Sequence, residues 1–212
     1  MLTVVKVGGG LGRGAGDDAL RALCTALGEL GERHPLLVVP GGAWFADAVR
    51  EVDRRFALPA TTSHRMAVLG MEQFAWLLSE LIPGAVRSAQ ARADARKTTV
   101  LLPGRLALDE LPASWQVTSD SIAAWVAGQA GADRLVLVKE VDGLFAQWPA
   151  LGHPIARMTV AELAQMLPAG VDEHLPTVLE GARFETWVIS GRDPQRLVEL
   201  LEHGATVGTR IA

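Results

Sequence analysis

The sequence predicts an α/β fold, a mostly parallel sheet with helices on both faces that forms a three-layer αβα sandwich. Three features carry this. Apolar strand-like runs alternate with helix-periodic stretches along the whole chain. "LLVV", residues 36 to 39, is apolar at every position, as a strand buried on both faces must be. Glycine-bearing turns at 8 to 10, 41 to 42 and 142 to 143 each follow a strand, where such sheets bind ligands.

The elements follow in order. Thr3 to Val7 reads as a strand and runs into "GGGLGRGAG". A helix then starts at Asp17, with Leu20, Leu23, Leu27 and Leu30 at helical spacing. Asp17 and Asp18 cap its start and Gly31 can end it. After "LLVV" and "PGG", Pro40 to Gly42, a second helix is expected to bury Phe45, Val49, Val52 and Phe56. It would present Asp47, Arg50 and Arg54 on another face. A third helix, about His64 to Leu81, stops at Pro83-Gly84. It is apolar on most sides, which places it centrally or at a subunit contact. Strands are expected at 98 to 102, 134 to 139, 184 to 190 and around Val207. Helices are expected at 118 to 131, 159 to 167 and 194 to 203. The stretch 87 to 97, "RSAQARADARK", reads as a solvated helix or loop face.

Composition narrows the class. The chain has 212 residues, about half of them apolar, which suits one large domain or two lobes sharing a sheet. Net charge is −4 with both signs scattered, against a dedicated nucleic-acid binder. The single cysteine, Cys24, falls on an apolar helix face as core filler, compatible with a reducing compartment. No apolar run reaches a membrane span and no signal peptide is apparent, so a soluble cytoplasmic protein is expected. No cysteine–histidine cluster has zinc spacing, and no protein metal site is expected.

"VVKVGGG", residues 4 to 10, raises the functional question. A lysine inside an apolar strand needs a partner, and three successive glycines are costly to order. Glycines at a strand end let backbone N–H groups approach an anion, and Lys6 adds a point charge. Phosphate is the expected guest. A P-loop is excluded because no Gly-Lys pair occurs. "GLGRGA", Gly10 to Ala15, matches a dinucleotide fingerprint. However, Asp17 and Asp18 would repel a pyrophosphate at the helix start, and the second strand lacks the acidic residue for a ribose. The remaining reading aims Lys6 at phosphate held by Gly8, Gly9 and Gly10, with Gly41 and Gly42 offering a second set of N–H groups. Two facing glycine turns can hold two ends of a transferring phosphoryl group.

Five segments in order, "VVKVGGG", "VVPGGAWFAD", "TSDSIAAWVA", "LVKEVDGLF" and the terminal "GTRI", resemble the signature segments of the amino acid kinase superfamily. That resemblance implies an open eight-stranded sheet within a single domain, 1–212. A part of about 1–112 would hold a phosphate acceptor and a part of about 113–212 would hold ATP with Mg²⁺. It implies that Lys6 acts on the transferring group, that Gly8 to Gly10 line the phosphates, and that Asp120 orients the lysines. Gly41 and Gly42 would hold the acceptor end. Val141, Asp142, Gly143 and Leu144 would line the nucleotide pocket, with Thr118 and Ser119 beside Asp120. Residues 63 to 75 and 114 to 125 look most like the small kinases of methanofuran biosynthesis, whose acceptor is an aminomethyl-furan-methyl phosphate. Molybdenum storage proteins share similar segments, so a non-catalytic oxyanion binder stays open, as do UMP, isopentenyl phosphate or an amino acid as acceptor.

Two departures from the family pattern stand out. Many members carry serine at the position of Gly10. Several use a second phosphate-binding lysine after the "DG" turn, but this chain has only Lys6, Lys97 and Lys139. Lys139 takes that role, or an arginine such as Arg157 or Arg183 does. On the acceptor side, Asp47 suits an ammonium and Arg50 a phosphate, and His64 can reach the acceptor. Trp44, next to the glycine turn, is the candidate cover for a flat substrate. The expected partners are a small-molecule acceptor and further copies of the chain.

Overall fold

The structure, a computed structural model, describes residues 1–12, 17–146, 152–166 and 170–212. Its eight strands form one sheet: β1 (Thr3–Val7), β2 (Leu36–Pro40), β3 (Val86–Ser88), β4 (Thr99–Leu101), β5 (Arg134–Lys139), β6 (Arg157–Met158), β7 (Glu185–Ser190) and β8 (Thr209–Ile211). Their order across the sheet is β3-β4-β2-β1-β5-β7-β8-β6. All neighbours are parallel except β7 and β8. The helices are α1 (Asp17–Gly31), α2 (Ala43–Phe56), α3 (Ala60–Leu81), α4 (Ser119–Ala130), α5 (Val160–Met166), α6 (Leu175–Leu179) and α7 (Gln195–His203).

Strand alternation sorts the core into two layers. Val5, Val7, Leu36, Val38, Val136 and Val138 face one way and pack with Leu23 and Leu27 of α1, Phe74 of α3 and Leu197 of α7. Val4, Leu37, Val39, Leu135 and Leu137 face the other way, under Ile122, Ala123 and Val126 of α4. Lys6 shares the parity of Val4, and Lys139 that of Leu135 and Leu137. Both lysines therefore emerge on the α4 side of the sheet.

Strand β1 and helix α1 stand as their patterns predict, and the α1 leucines are buried. Cys24 is buried in the same layer, and desolvation raises its thiol to about 12, an inert core position. Four expectations need correction. Phe56 ends α2 exposed, under Arg55, because the helix has already turned away from the sheet. The 87 to 97 face is solvated as expected, but Arg87 and Ser88 belong to edge strand β3 rather than to a helix or loop. The strand near Val207 begins at Thr209, and Val207 itself is exposed. Helix α3 starts at Ala60, earlier than its apolar pattern, and is not covered all round: Leu69 and Trp76 are exposed. Among the described residues no helix is long and apolar enough to cross a membrane. The "GLGRGA" stretch and the end of the 159 to 167 helix fall partly outside the described residues.

The glycine turns touch backbone to backbone. Gly8 N–H donates to the Val138 carbonyl (2.9 Å) and Gly41 N–H to the Val7 carbonyl (2.9 Å). A Cβ on Gly41 would stand 2.6 Å from the Gly9 nitrogen and 2.9 Å from the Val7 oxygen. Neither backbone atom can give way. Gly41→Ala is expected to lower stability by about 1–3 kcal/mol through this overpacking, read as a lower midpoint in urea unfolding with unchanged slope.

Candidate active site

The sheet's carboxyl edge collects the turns after β1, β2, β5 and β7, and the start of α4 closes over them. Asp120, in the first turn of α4, lies between the two lysines. Its Oδ1 is 2.8 Å from Lys6 Nζ and its Oδ2 2.5 Å from Lys139 Nζ. All three groups are nearly shut off from water. Lys6 pairs in register with Leu137, so Lys139 comes up one same-face position further along the adjacent strand. That offset lets one carboxylate reach both ammonium groups.

The electrostatics follow from this geometry. Burial alone would raise the Asp120 carboxyl, but the charges of Lys139 and Lys6 outweigh it and hold the group at about 2. Burial pushes Lys139 down to about 8 despite Asp120, and the Lys6 charge pushes the same way. Removing one member of a buried ionic set leaves charge uncompensated.

A second carboxylate fixes the start of α4. Asp172 accepts from the Thr118 N–H (2.9 Å) and hydroxyl (2.8 Å), the Ser121 N–H (3.0 Å) and hydroxyl (2.5 Å), and the Leu175 N–H (2.9 Å). Thr118 in turn caps Asp120 N–H. Sequence reasoning missed Asp172, since a lone aspartate in a loop gives no sign of partners 51 and 54 residues away.

Helix α2 begins at Gly42 with no side-chain cap, so its first N–H groups point into the site. Ala43 holds a left-handed φ of 45° there, a conformation that costs a residue with a Cβ of order 1–3 kcal/mol. Gly9 packs against it, and a Cβ on Gly9 would run into the Ala43 nitrogen.

Beside these turns lies a cleft of about 170 Å³. Gly9, Gly10, Gly42, Arg50, His64, Trp115, Thr118 and Ser119 line it, with an apolar wall of Ala46, Val68, Met71 and Ile122. Thr118 and Ser119 thus open onto the space shared with Arg50 and His64. Asp47 is not on the wall; it pairs with Arg50 (2.9 Å). Trp44 is not on it either; it lies exposed with its ring edge-on to Phe45 and Phe74. The tryptophan on the cleft is Trp115, which donates its ring N–H to Asp53 Oδ2 (2.6 Å) and carries the Arg50 guanidinium 5.0 Å from its ring centre. That hydrogen bond is the leading reason the Asp53 carboxyl sits below its ordinary value.

On the other side of Lys139, Leu144 turns into the core and its N–H binds the Thr209 hydroxyl (2.7 Å). Gly143 is pressed between Pro154 and Thr209. Val141 is half-buried, and Asp142 is exposed and pairs with Arg196 (2.9 Å). Glu140 faces Arg192 at 3.8 Å and lies against Gly10, where any side chain would run into its carboxylate. Of the two arginines weighed as substitutes for the absent lysine, Arg157 lies on edge strand β6 and Arg183 before the start of β7, at the opposite edge of the sheet. Lys139 is the cation that joins Lys6, while Arg192 and Arg196, which sequence reasoning did not single out, flank the 140 to 143 turn.

Comparison with known proteins matches this arrangement to one family. The sequence model described as "Amino acid kinase family" matches residues 1–184. The chain is 27% identical to [5-(aminomethyl)furan-3-yl]methyl phosphate kinase of Methanocaldococcus jannaschii, over 98% of this chain and 96% of that enzyme. It is 34% identical to acetylglutamate kinase of Bifidobacterium longum, but over only 45% of this chain and 33% of that one. The crystal structure of uridylate kinase from Archaeoglobus fulgidus superposes with a TM-score of 0.78 over all of both chains at 21% identity, a likeness of fold.

The buried triad makes stability depend on pH in two directions. The folded chain releases the Lys139 proton near pH 8, while an unfolded lysine holds it to about 10.5. Between those values the unfolded state binds more protons, so this group's contribution to stability grows as pH rises. Asp120 contributes above its ordinary value of 3.8, and that contribution is lost as pH falls toward 2. Asp120→Ala is expected to cost about 3–5 kcal/mol at pH 6. Urea titrations should show the deficit shrinking toward pH 9 as Lys139 sheds its charge.

Proposed function

Because the chain belongs to the amino acid kinase family, we propose that it is an ATP-dependent kinase that transfers the γ-phosphoryl group to a small, already phosphorylated acceptor. The observation that carries this is the Lys6–Asp120–Lys139 triad set beside two uncapped glycine turns. Phosphoryl transfer demands mainly alignment and neutralisation of charge spread over the phosphoryl oxygens. Two ammonium groups held by one carboxylate supply fixed positive charge. Gly9 and Gly10 and the head of α2 would supply N–H donors from two sides, while Gly8 is tied to the Val138 carbonyl.

The parts divide along the chain. The cleft between α2, α3 and the start of α4 takes the acceptor, with Gly41 and Gly42 at its reacting end and Arg50 and His64 along it. The turn from Lys139 to Gly143, with Arg192 and Arg196, takes the nucleotide phosphates. Leu144 supports that turn from the core. Mg²⁺ would arrive on the ATP phosphates, since no cluster of three or more metal-ligating side chains occurs among the described residues. Glu140 is the carboxylate beside the phosphate loop. The ion would neutralise the phosphates while retaining several waters. An acceptor phosphate is already ionised and attacks in line without a general base.

The acceptor we propose is the aminomethyl-furan-methyl phosphate named for the relative that matches nearly end to end. The cleft suits its size: ~170 Å³ falls below the roughly 300–1,000 Å³ of drug-sized sites. Asp47 serves this end of the cleft through Arg50, with which it pairs. A non-catalytic oxyanion binder on the same fold, suggested by the missing lysine, is the alternative; the pairing of Lys139 with the carboxylate that holds Lys6 supports transfer instead. Leu69 and Trp76, exposed on α3, fit the expected association between copies.

Two measurements test this. Lys6→Ala should reduce ADP release in the presence of ATP, Mg²⁺ and acceptor by at least about 10²-fold while circular dichroism stays native; unchanged kinetics would refute the proposal. For the wild type, kcat/KM should decline as pH climbs past about 8, where Lys139 loses its proton. Lys139→Arg should carry that decline to higher pH.

A further inference from the structure

Arg50 is the only charged side chain on the cleft wall among the described residues. A lone arginine on a helix surface is mobile, and binding through it would forfeit side-chain entropy. Here it is restrained from two sides. Asp47, one turn earlier, pairs with it, and the ring of Trp115 lies under its guanidinium. Side chains on a helix lean toward its N-terminus, so this restraint aims Arg50 back along α2 toward Gly42. Trp115 comes from the segment before α4, far from α2 in sequence. It is fastened to α2 by its N–H bond to Asp53, one turn beyond Arg50. A ring tied at its edge cannot rotate away from the cation over its face.

We propose that Trp115, locked by Asp53, is a positioning residue that holds Arg50 as the clamp for the acceptor's phosphate. The class of acceptor follows. It is a small phosphate monoester whose carbon body rests on Ala46, Val68, Met71 and Ile122 and whose anion meets Arg50. An acceptor without an anionic group gains nothing from the held guanidinium and binds less well. This rests on the kinase reading for the identity of the cleft, but it can be tested by binding alone.

The test is a double-mutant cycle on Arg50 and Trp115. Affinities for [5-(aminomethyl)furan-3-yl]methyl phosphate, isopentenyl phosphate and UMP are measured by calorimetry, and acceptor KM and kcat by ADP release. Trp115→Leu should weaken binding of the favoured ester about two- to fivefold, the scale of a cation–π contact at an exposed site, and raise KM with kcat little changed. Arg50→Ala should weaken it at least as much. The double variant should be no worse than Arg50→Ala, because Trp115 acts through Arg50. Trp115→Phe, which keeps the ring face and drops the N–H, and Asp53→Asn should each fall between wild type and Trp115→Leu. They also keep the test open if the leucine variant does not fold. Additive losses in the cycle, or a lower Tm with unchanged acceptor affinity, would overturn the proposal. So would failure of the wild type to bind any of the three esters. Tight binding with the expected cycle but no ADP release would sink the kinase reading alone.

Discussion

One carboxylate shared by two buried ammonium groups governs this structure. Neither lysine could stay charged beneath α4 without Asp120, because a buried cation with no partner gives up its proton or unfolds its surroundings. Asp120 in turn depends on the lysines to remain ionised away from water. This dependence fixes the other parts. Strands β1 and β5 must pair in the register that brings Lys6 and Lys139 to the same face. Helix α4 must begin directly above them, and Asp172 and Thr118 hold it there through its first N–H groups.

The rest of the site is built from backbone. Gly8, Gly9, Gly41 and the head of α2 approach one another more closely than side chains would allow, and Ala43 accepts an unfavourable φ as part of that contact. The result is a close-packed backbone junction, tied by the Gly8 and Gly41 N–H groups, beside a fixed positive charge. It is an arrangement with little room to adjust when negative charge develops, as electrostatic preorganisation requires. Arg50 extends the same principle outward, since its guanidinium is held by an aspartate on one side and an aromatic ring on the other.

Much of this was legible in the residues. Strand β1, helix α1 and the burial of Cys24 followed from alternation, capping and helical spacing. Lys6 in an apolar strand announced a partner, but only the family resemblance pointed to Asp120, whose place at a helix start by itself reads as a plain cap. Strands β3 and β6 were not legible because three- and two-residue strands carry no period, and α6 is too short to show one. Trp44 was a natural choice from its place beside the glycines, yet the aromatic at the cleft is Trp115, in an irregular segment where no periodicity tells which way a side chain turns. That Thr118 and Ser119 open onto this cleft was not legible for a similar reason: a helix start touches whatever its tilt brings near. Asp172 and the arginines after β7 act across long sequence separations, which a single sequence does not encode locally.

Strand β1 lies at the middle of the sheet, yet its partner β5 follows it by 131 residues, from Thr3 to Arg134. At a synthesis rate of about 5–20 residues per second, β1 waits on the order of ten seconds for that neighbour. Through that interval it has β2 on one side and an open, apolar edge on the other, with the Lys6 ammonium free to water. Such an edge invites pairing with another nascent chain. A charged side chain on such a strand opposes that pairing, and Lys6 loses its exposure only when β5 and α4 arrive to bury it.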